Sequence, residues 1–358
     1  MRKLTFFDAT LLQGGAERVI SIITKELAAD DELQIEIVLW YSAQPFYEID
    51  SRVKVILIPE ETKSDVFMKK LIWLHNYIKN DTDAIISFLA PINMIAIVAH
   101  WFTGKKIIVA DRNDPSKVPV NKIVRKIRDI LYMFADGVVL QTKKNQEYFS
   151  KRVKKKSTVI YNPVNLGKYA GISLNEDKES RIVSVGRLTP QKIQKMLRRA
   201  FATVLEYFPQ YQLEIYGEES SYKVELEALI EQLNIQEHVM LAGSVTDLHE
   251  RIKNAKLFVL SSNYEGMPNA LIEAMCMGLP VISTKVSGAT DLIEHRKNGI
   301  LIEEEDQEVL EKAVQELLEN QDMLEKIAKD AVMLNEKLES SRIVQQWGEF
   351  IEEKCFGR

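Results

Sequence analysis

Short apolar runs alternate with stretches in which apolar residues return every three or four positions, and the alternation persists along nearly the whole chain. The first texture predicts buried strands, the second amphipathic helices. Before residue 170 the strand candidates are "KLTFFDA", "IEIVLWY", "VKVILIP", "AIISFL", "KKIIVAD", "GVVLQT" and "STVIYNPVNLGKY". Between them stand the helix candidates "AERVISIITKELAA", "SDVFMKKLIWLHNYIKN", "INMIAIVAHWF" and "NKIVRKIRDILYMFA". Apolar strands alternating with helices predict a parallel sheet covered on both faces.

The small, polar stretch "AGISLNEDKES", Ala170 to Ser180, has no periodicity and reads as a linker. Beyond it the same grammar returns in the strands "RIVSVG", "YQLEIYG", "VMLAG", "KLFVLSS", "LPVIST" and "GILIEEED", with helices between them and from Gln307 to the end. The pattern therefore predicts an α/β chain of two Rossmann-like domains, 1–170 and 181–358, with the closing C-terminal helices in the second. Ligands of open α/β sheets sit beyond the carboxyl ends of the strands, so the active site is expected in a crevice between the two.

The chemistry concentrates in "SSNYEGMPNALIEAMCMGLPVIST", Ser261 to Thr284. Pro268 opens a helix there and Gly278 stops it. Glu265 lies in the loop before the helix and Glu273 inside it. Carboxylates accept bonds from vicinal hydroxyls, and the free N–H groups of Gly266 to Ala270, Asn269 among them, suit an anion. An ordinary strand–loop–helix with two solvated glutamates has the same spacing. Arg187 and Lys192, in "GRLTPQK" after the strand "RIVSV", fit two phosphates of a nucleoside diphosphate, with Gly186 allowing close approach. A solvated basic loop is the plainer reading. Gly14 and Gly15 let a phosphate or sugar approach the first helix, although a tight turn uses the same residues and no GxGxxG fingerprint is present.

Asp111, Arg112 and Asn113 end the strand "KKIIVA". Asp111 is a candidate partner for an acceptor hydroxyl and Arg112 for an anion, against a reading as helix cap and surface ion pair. "DTD", Asp81 to Asp83, imitates a metal-binding Asp-x-Asp but precedes a strand, where polar residues cap or turn the chain. The five histidines show no ligand spacing, and His100 reads as packed.

Charge sharpens the division. Residues 1–170 hold 26 Lys and Arg against 19 Asp and Glu, a net of +7, and the remainder holds 21 against 33, a net of -12. The basic half should face something anionic. Its run "KRVKKK", Lys151 to Lys156, the helix around "NKIVRKIRDI" and the apolar Phe67, Leu71 and Trp73 suit a membrane surface or, for the last three, a core. Nucleic acid is disfavoured, because the chain is acidic overall and its basic runs lack interleaved aromatics. Two cysteines, Cys276 and Cys355, make no disulfide framework and point to a reducing cytoplasm. "MRKLTFFDATLLQGG" reads as a first strand rather than a secretory signal, and the longest apolar run, "INMIAIVAHWF", is too short for a span.

"QGGAERV", "SVGRLTPQK" and the Ser261 to Thr284 unit together resemble the large retaining glycosyltransferase family of GT-B architecture, often called family 4, and within it bacterial members that build capsule, O-antigen or lipid-linked oligosaccharides. The resemblance covers essentially the whole chain. It implies a UDP-sugar donor, no metal and no cofactor. It also implies that Glu273 holds the donor ribose, Glu265 the donor hexose, Arg187 and Lys192 the diphosphate, and that Gly15 lies against phosphate or acceptor. The implied product is a hexose or N-acetylhexosamine carried to a polyprenyl-diphosphate-linked saccharide at the inner face of the cell membrane. Departures are Ile193 where relatives read asparagine after the lysine, Glu219 near a usual second glycine, and Asp111 where glutamate is common. An epimerase or phosphorylase of the same architecture, or a non-catalytic nucleotide-sugar-binding subunit, is the alternative.

Overall fold

The computed structural model describes residues 1–12, 14–41, 45–59, 66–169 and 178–357. Among them, thirteen strands form two sheets. The first contains β1 (Arg2–Asp8), β2 (Leu33–Leu39), β3 (Lys54–Leu57), β4 (Ala84–Phe88), β5 (Lys106–Asp111), β6 (Gly137–Leu140) and β7 (Ser157–Val159), in the order β3-β2-β1-β4-β5-β6-β7. The second contains β8 (Glu179–Val185), β9 (Gln212–Tyr216), β10 (Val239–Gly243), β11 (Ala255–Leu260), β12 (Val281–Thr284) and β13 (Ile300–Ile302), in the order β10-β9-β8-β11-β12-β13. Every pairing within both sheets is parallel. The strands are those that the apolar runs predict, and the architecture is the expected pair of Rossmann-like sheets.

Alternation along the strands explains why both faces of the first sheet need cover. Phe6, Ile37, Ile86, Phe88 and Ile108 point into one core. Phe7, Val38, Ile85, Ile107 and Val109 point into another. Burial of such strands is worth roughly 25 cal/mol per Å² of apolar surface, which leaves little room for polar groups except at strand ends. The second sheet has an equivalent core, in which Ile182, Leu213, Ile215, Leu257, Val259 and Ile282 meet the helix Gln194–Tyr207.

The chain divides into one unit of Met1–Pro163 with Leu338–Arg358, and a second of Val164–Lys337. The terminal residues thus join the first unit, unlike the expected 181–358 domain. The reason is the apolar stripe of the helix Ser340–Ile351: Ile343, Val344, Trp347, Phe350 and Ile351 are buried in the first core, and Trp347 stacks on Phe88 with centroids 5.6 Å apart. Arg2 of β1 fixes the end of the chain, pairing with Glu352 at 2.5 Å and lying over Phe356. Most of the expected linker, residues 170–177, lies outside the described residues, and Glu179 and Ser180 already belong to β8.

Two basic or aromatic expectations also change. Trp73 stacks on Tyr77 at 5.2 Å, and with Leu71 it packs against the core, so only Phe67 of that trio stays exposed, beside Trp40. Lys156, the last residue of the basic run, turns its ammonium onto the Met133 carbonyl at 2.8 Å and the Ala135 carbonyl, and burial lowers its pKa to about 8. Asp83 receives the Lys3 amide at 2.9 Å, so it serves the turn before β4. Among the described residues no group of three or more His, Cys, Asp or Glu is disposed to hold a metal ion, and no helix is long and apolar enough to cross a membrane.

Candidate functional site

In the second sheet the strand order reverses between β8 and β11. The loops that leave these neighbouring strands must diverge, which opens a position for ligand at their carboxyl ends. The loop after β8 runs from Gly186 through Arg187 to the single turn Pro190–Lys192 and then the helix Gln194–Tyr207. The loop after β11 runs from Ser261 to Pro268, which caps the helix Asn269–Cys276. Six of the eight residues expected to make the site, Arg187, Lys192, Glu265, Gly266, Asn269 and Glu273, belong to these two loop–helix segments.

Hydrogen bonds tie the loops to each other. The Asn263 amide donates to the Gln191 carbonyl at 2.8 Å, and the Gln191 side chain returns a bond to the Tyr264 carbonyl at 2.7 Å. Ser261 Oγ donates to the Lys192 carbonyl at 2.9 Å. Lys192 Nζ then reaches Glu265 Oε1 at 2.5 Å, with the two side chains only 17% and 15% exposed. Ser262 Oγ donates to the same oxygen at 3.0 Å. Ser262 is in turn fixed by Thr284 at the end of β12, whose hydroxyl accepts from the Ser262 amide at 3.0 Å and donates to its carbonyl at 2.6 Å.

This arrangement has definite chemical capacity. An ammonium carries three donors, and one is used on Glu265, which leaves two for oxyanions. A carboxylate accepts about four bonds, and Ser262 and Lys192 both use Oε1. Arg187 is exposed at the mouth of the β8 loop. Asn269 and Glu273 lie one turn apart on the same side of their helix, both half-buried, while Leu271, Ile272, Ala274 and Met275 are buried and anchor it. The sequence reading put Lys192 on phosphate and Glu265 on sugar as separate contacts. Here they form one ion pair. Ser262, Thr284 and Gln191 were missed, although the hydroxyl pairs "SS" and "ST" at two strand ends were the available signal.

The departures have structural consequences. Ile193 sits in the left-handed region, φ 45° and ψ 36°, immediately after Lys192. That conformation costs a branched residue roughly 1–2 kcal/mol and suits asparagine or glycine far better. Glu219 pairs with Lys223 at 2.7 Å on the surface, which ties its carboxylate to a neighbouring turn.

Gly15 and Asp111 belong to the first unit. Gly15 is exposed at the start of the helix Gly15–Leu27, and the capping Gly14 brings no side chain to it. Gln13, of the same motif, lies outside the described residues. Asp111 ends β5 fully buried. Its Oδ2 accepts from Tyr132 at 3.1 Å and lies 3.7 Å from Arg128 Nη1. Burial pushes its pKa up and the Arg128 guanidinium opposes the shift. Arg128 also holds the carbonyls of Val118 at 2.6 Å and Pro115 at 2.8 Å, so this carboxylate belongs to an internal network.

Known proteins resemble this chain in sequence and in fold. The family model "Glycosyl transferases group 1" matches residues 168–332. A Campylobacter jejuni protein named GalNAc-alpha-(1->4)-GalNAc-alpha-(1->3)-diNAcBac-PP-undecaprenol alpha-1,4-N-acetyl-D-galactosaminyltransferase is 26% identical over 99% of both chains. A second from the same organism, N-acetylgalactosamine-N,N'-diacetylbacillosaminyl-diphospho-undecaprenol 4-alpha-N-acetylgalactosaminyltransferase, is 29% identical over 92% of this chain and 93% of its own. Among solved structures, Anabaena HepE in complex with UDP and glucose superposes with a TM-score of 0.81 at 20% identity, covering 98% of this chain and 99% of HepE.

Two glycines test the packing of the β8 loop. A Cβ on Gly217, φ +150°, would lie 2.2 Å from the Gly186 carbonyl oxygen, whereas one on Gly186 would meet the Lys192 side chain, 2.7 Å from its Cε. Backbone cannot yield as a lysine can. Chemical denaturation should therefore show Gly217→Ala losing about 2–4 kcal/mol and Gly186→Ala within about 1 kcal/mol of wild type. Equal stabilities for the two variants would contradict this packing.

Proposed function

We propose that this chain, a glycosyltransferase of GT-B architecture, moves a hexose or N-acetylhexosamine from a UDP-sugar to a polyprenyl-diphosphate-linked saccharide in cell-surface polysaccharide synthesis, with retention at the anomeric carbon. The observation that carries this reading is the Lys192–Glu265 pair at the switch point between β8 and β11. Lys192 and Arg187 bind the diphosphate and stabilise the charge that grows as it leaves. Glu265, held by Lys192 and Ser262, offers its remaining oxygen to donor-sugar hydroxyls. Glu273 and Asn269 take the ribose and the phosphate side of the nucleotide, with Gly266 at the helix entrance. No cofactor takes part.

In the retaining step the bond between the anomeric carbon and the diphosphate oxygen breaks as the acceptor hydroxyl approaches from the same face. The hydroxyl proton passes to the departing phosphate oxygen. Glu265 acts by position and charge, with no covalent sugar intermediate. The acceptor class rests on the two Campylobacter relatives, whose names specify undecaprenyl-diphosphate-linked saccharides.

Incubation with radiolabelled UDP-sugars and bacterial lipid extract, followed by proton NMR of the product, tests the reading. Label should enter the lipid fraction with the donor's anomeric configuration unchanged. An inverted centre rejects retention. An isomerised nucleotide sugar without lipid product identifies an epimerase, and binding without turnover a non-catalytic subunit.

A lipid acceptor brings the protein to the cytoplasmic face of the membrane, and surface features of the first unit support that location. Ile123, Ile127 and Ile130 of the helix Lys122–Leu131 are exposed along one stripe that continues to Phe134. Trp101 meets Phe134 with centroids 6.0 Å apart. Next to it Phe102, at φ 63°, is 97% exposed. Lys122 and Lys126 are exposed on the same helix, and each basic residue near anionic lipid adds about 1 kcal/mol. Wild-type protein should sediment with phosphatidylglycerol vesicles at low salt, and Phe102→Asp with Ile127→Asp should remain in the supernatant. Wild-type protein that fails to sediment, or a double variant that sediments equally, rules out docking through this stripe.

A further inference from the structure

Arg112 follows β5 and is only 6% exposed, yet among the described residues no ion pair joins its guanidinium to a carboxylate. The adjacent Asp111 is turned to Tyr132 and Arg128 instead. Arg112 Nη2 donates to Asn162 Oδ1, an oxygen that also receives Gln141 Nε2 at 2.8 Å. Its Nε and Nη1 are buried without any hydrogen-bond partner. A buried charge with unpaired donors is costly, and proteins retain one where a counter-charge is supplied.

The surroundings are polar in an unusual concentration. Asp8 Oδ2, Ser87 Oγ, Gln141 Oε1 and Asn145 Oδ1 are also buried without partners. They come from the carboxyl ends of β1, β4 and β6 or just beyond. Strand register makes these ends neighbours: Phe7 pairs with Ser87, Phe88 with Ala110, and Asp111 with Leu140. Arg112 itself lies over the Phe88 ring, 5.8 Å from its centroid. Unsatisfied groups at the carboxyl edge of a parallel sheet mark a ligand position; the Arg112 nitrogens and Ser87 Oγ can donate to an oxyanion, whereas the oxygens of Gln141 and Asn145 suit hydroxyl donors of the same ligand.

We propose that Arg112 anchors an oxyanion site in the first unit, and that its ligand is a phosphate group of the acceptor. Of the five guanidinium donors one is used on Asn162. Nε borders one edge of the plane and Nη1 the other, so an oxyanion can engage the edge that Asn162 leaves open, through the second hydrogen of Nη2 and its unpartnered neighbour. Burial lowers the guanidinium pKa to about 9, a desolvation cost that a bound anion offsets. Asn162 and Gln141 orient the arginine. The inference rests on the reading of the protein as a transferase to a phosphate-linked acceptor, and it adds the residue that recognises the phosphate.

Two measurements test it independently. The first uses protein saturated with UDP, so that the second unit is filled, and titrates inorganic pyrophosphate by calorimetry. Wild type should bind, and Arg112→Gln should bind about 10- to 100-fold more weakly, with Arg112→Lys between them. A wild type that binds no pyrophosphate, or an Arg112→Gln that binds it unchanged, overturns the site whatever the reaction proves to be. The second compares a diphosphate-linked acceptor with the same saccharide on a neutral alkyl chain and with a uronic-acid-bearing alkyl glycoside. Arg112→Gln should raise KM about 10- to 100-fold for the diphosphate acceptor alone, leaving kcat and UDP affinity as in wild type. A loss confined to the uronic acid assigns a carboxylate instead of a phosphate and overturns the proposal. Equal losses on all three acceptors, unrelieved by Arg112→Lys, reduce Arg112 to a structural residue.

Discussion

Parallel strands buried on both faces can offer polar side chains only at their ends, and this constraint organises the molecule. In the second unit it gathers the loops after β8 and β11 at one edge, where the strand order reverses. Lys192 and Glu265, 73 residues apart, become a 2.5 Å pair there because Gln191, Ser261 and Asn263 bind the two loops to each other first. In the first unit the same constraint places Asp8, Ser87, Asp111, Arg112 and Gln141 at the corresponding edge. The two edges are built differently. One carries a paired cation and carboxylate, the other a buried guanidinium whose nearest carboxylate is engaged elsewhere.

The pairing in the second unit matters for function as well as for shape. An isolated lysine at a loop tip loses side-chain entropy when it orders around a phosphate, whereas Lys192 is already held by Glu265. The carboxylate is held in turn by Ser262, and Ser262 by Thr284 at the end of β12. A chain of short polar residues thus connects the sheet to the ammonium. Gly217 and Gly186 allow the loop to lie close enough for the connection.

Much of this was legible in the sequence. Alternating apolar runs located every strand of both sheets, and the glycine, proline and glutamate spacing from Ser261 to Thr284 located the principal loop–helix segment. What escaped was tertiary partnership. The stripe of Ile343, Trp347 and Phe350 announces a buried helix face but not which core receives it, and the first core does. A carboxylate at a strand end reads alike whether it meets solvent or, as Asp111 does, a buried arginine and tyrosine. "KRVKKK" reads as a charged surface, yet Lys156 turns inward to two carbonyls more than twenty positions back in the chain. The asparagine that relatives carry in place of Ile193 is the one sequence sign of its left-handed φ, which follows from the turn that presents Lys192.

The central claim is that the paired loops of the second unit seat a nucleoside diphosphate, and calorimetric titration of UDP into wild type and the Lys192→Ala, Arg187→Ala and Glu273→Ala variants tests it most directly. Lys192→Ala and Arg187→Ala should each weaken UDP about 10-fold or more through lost charge-assisted bonds to phosphate. Uridine, which lacks the diphosphate, should bind these two variants as it binds wild type, and Glu273→Ala should weaken both ligands. Unchanged UDP affinity in all three folded variants would contradict the account.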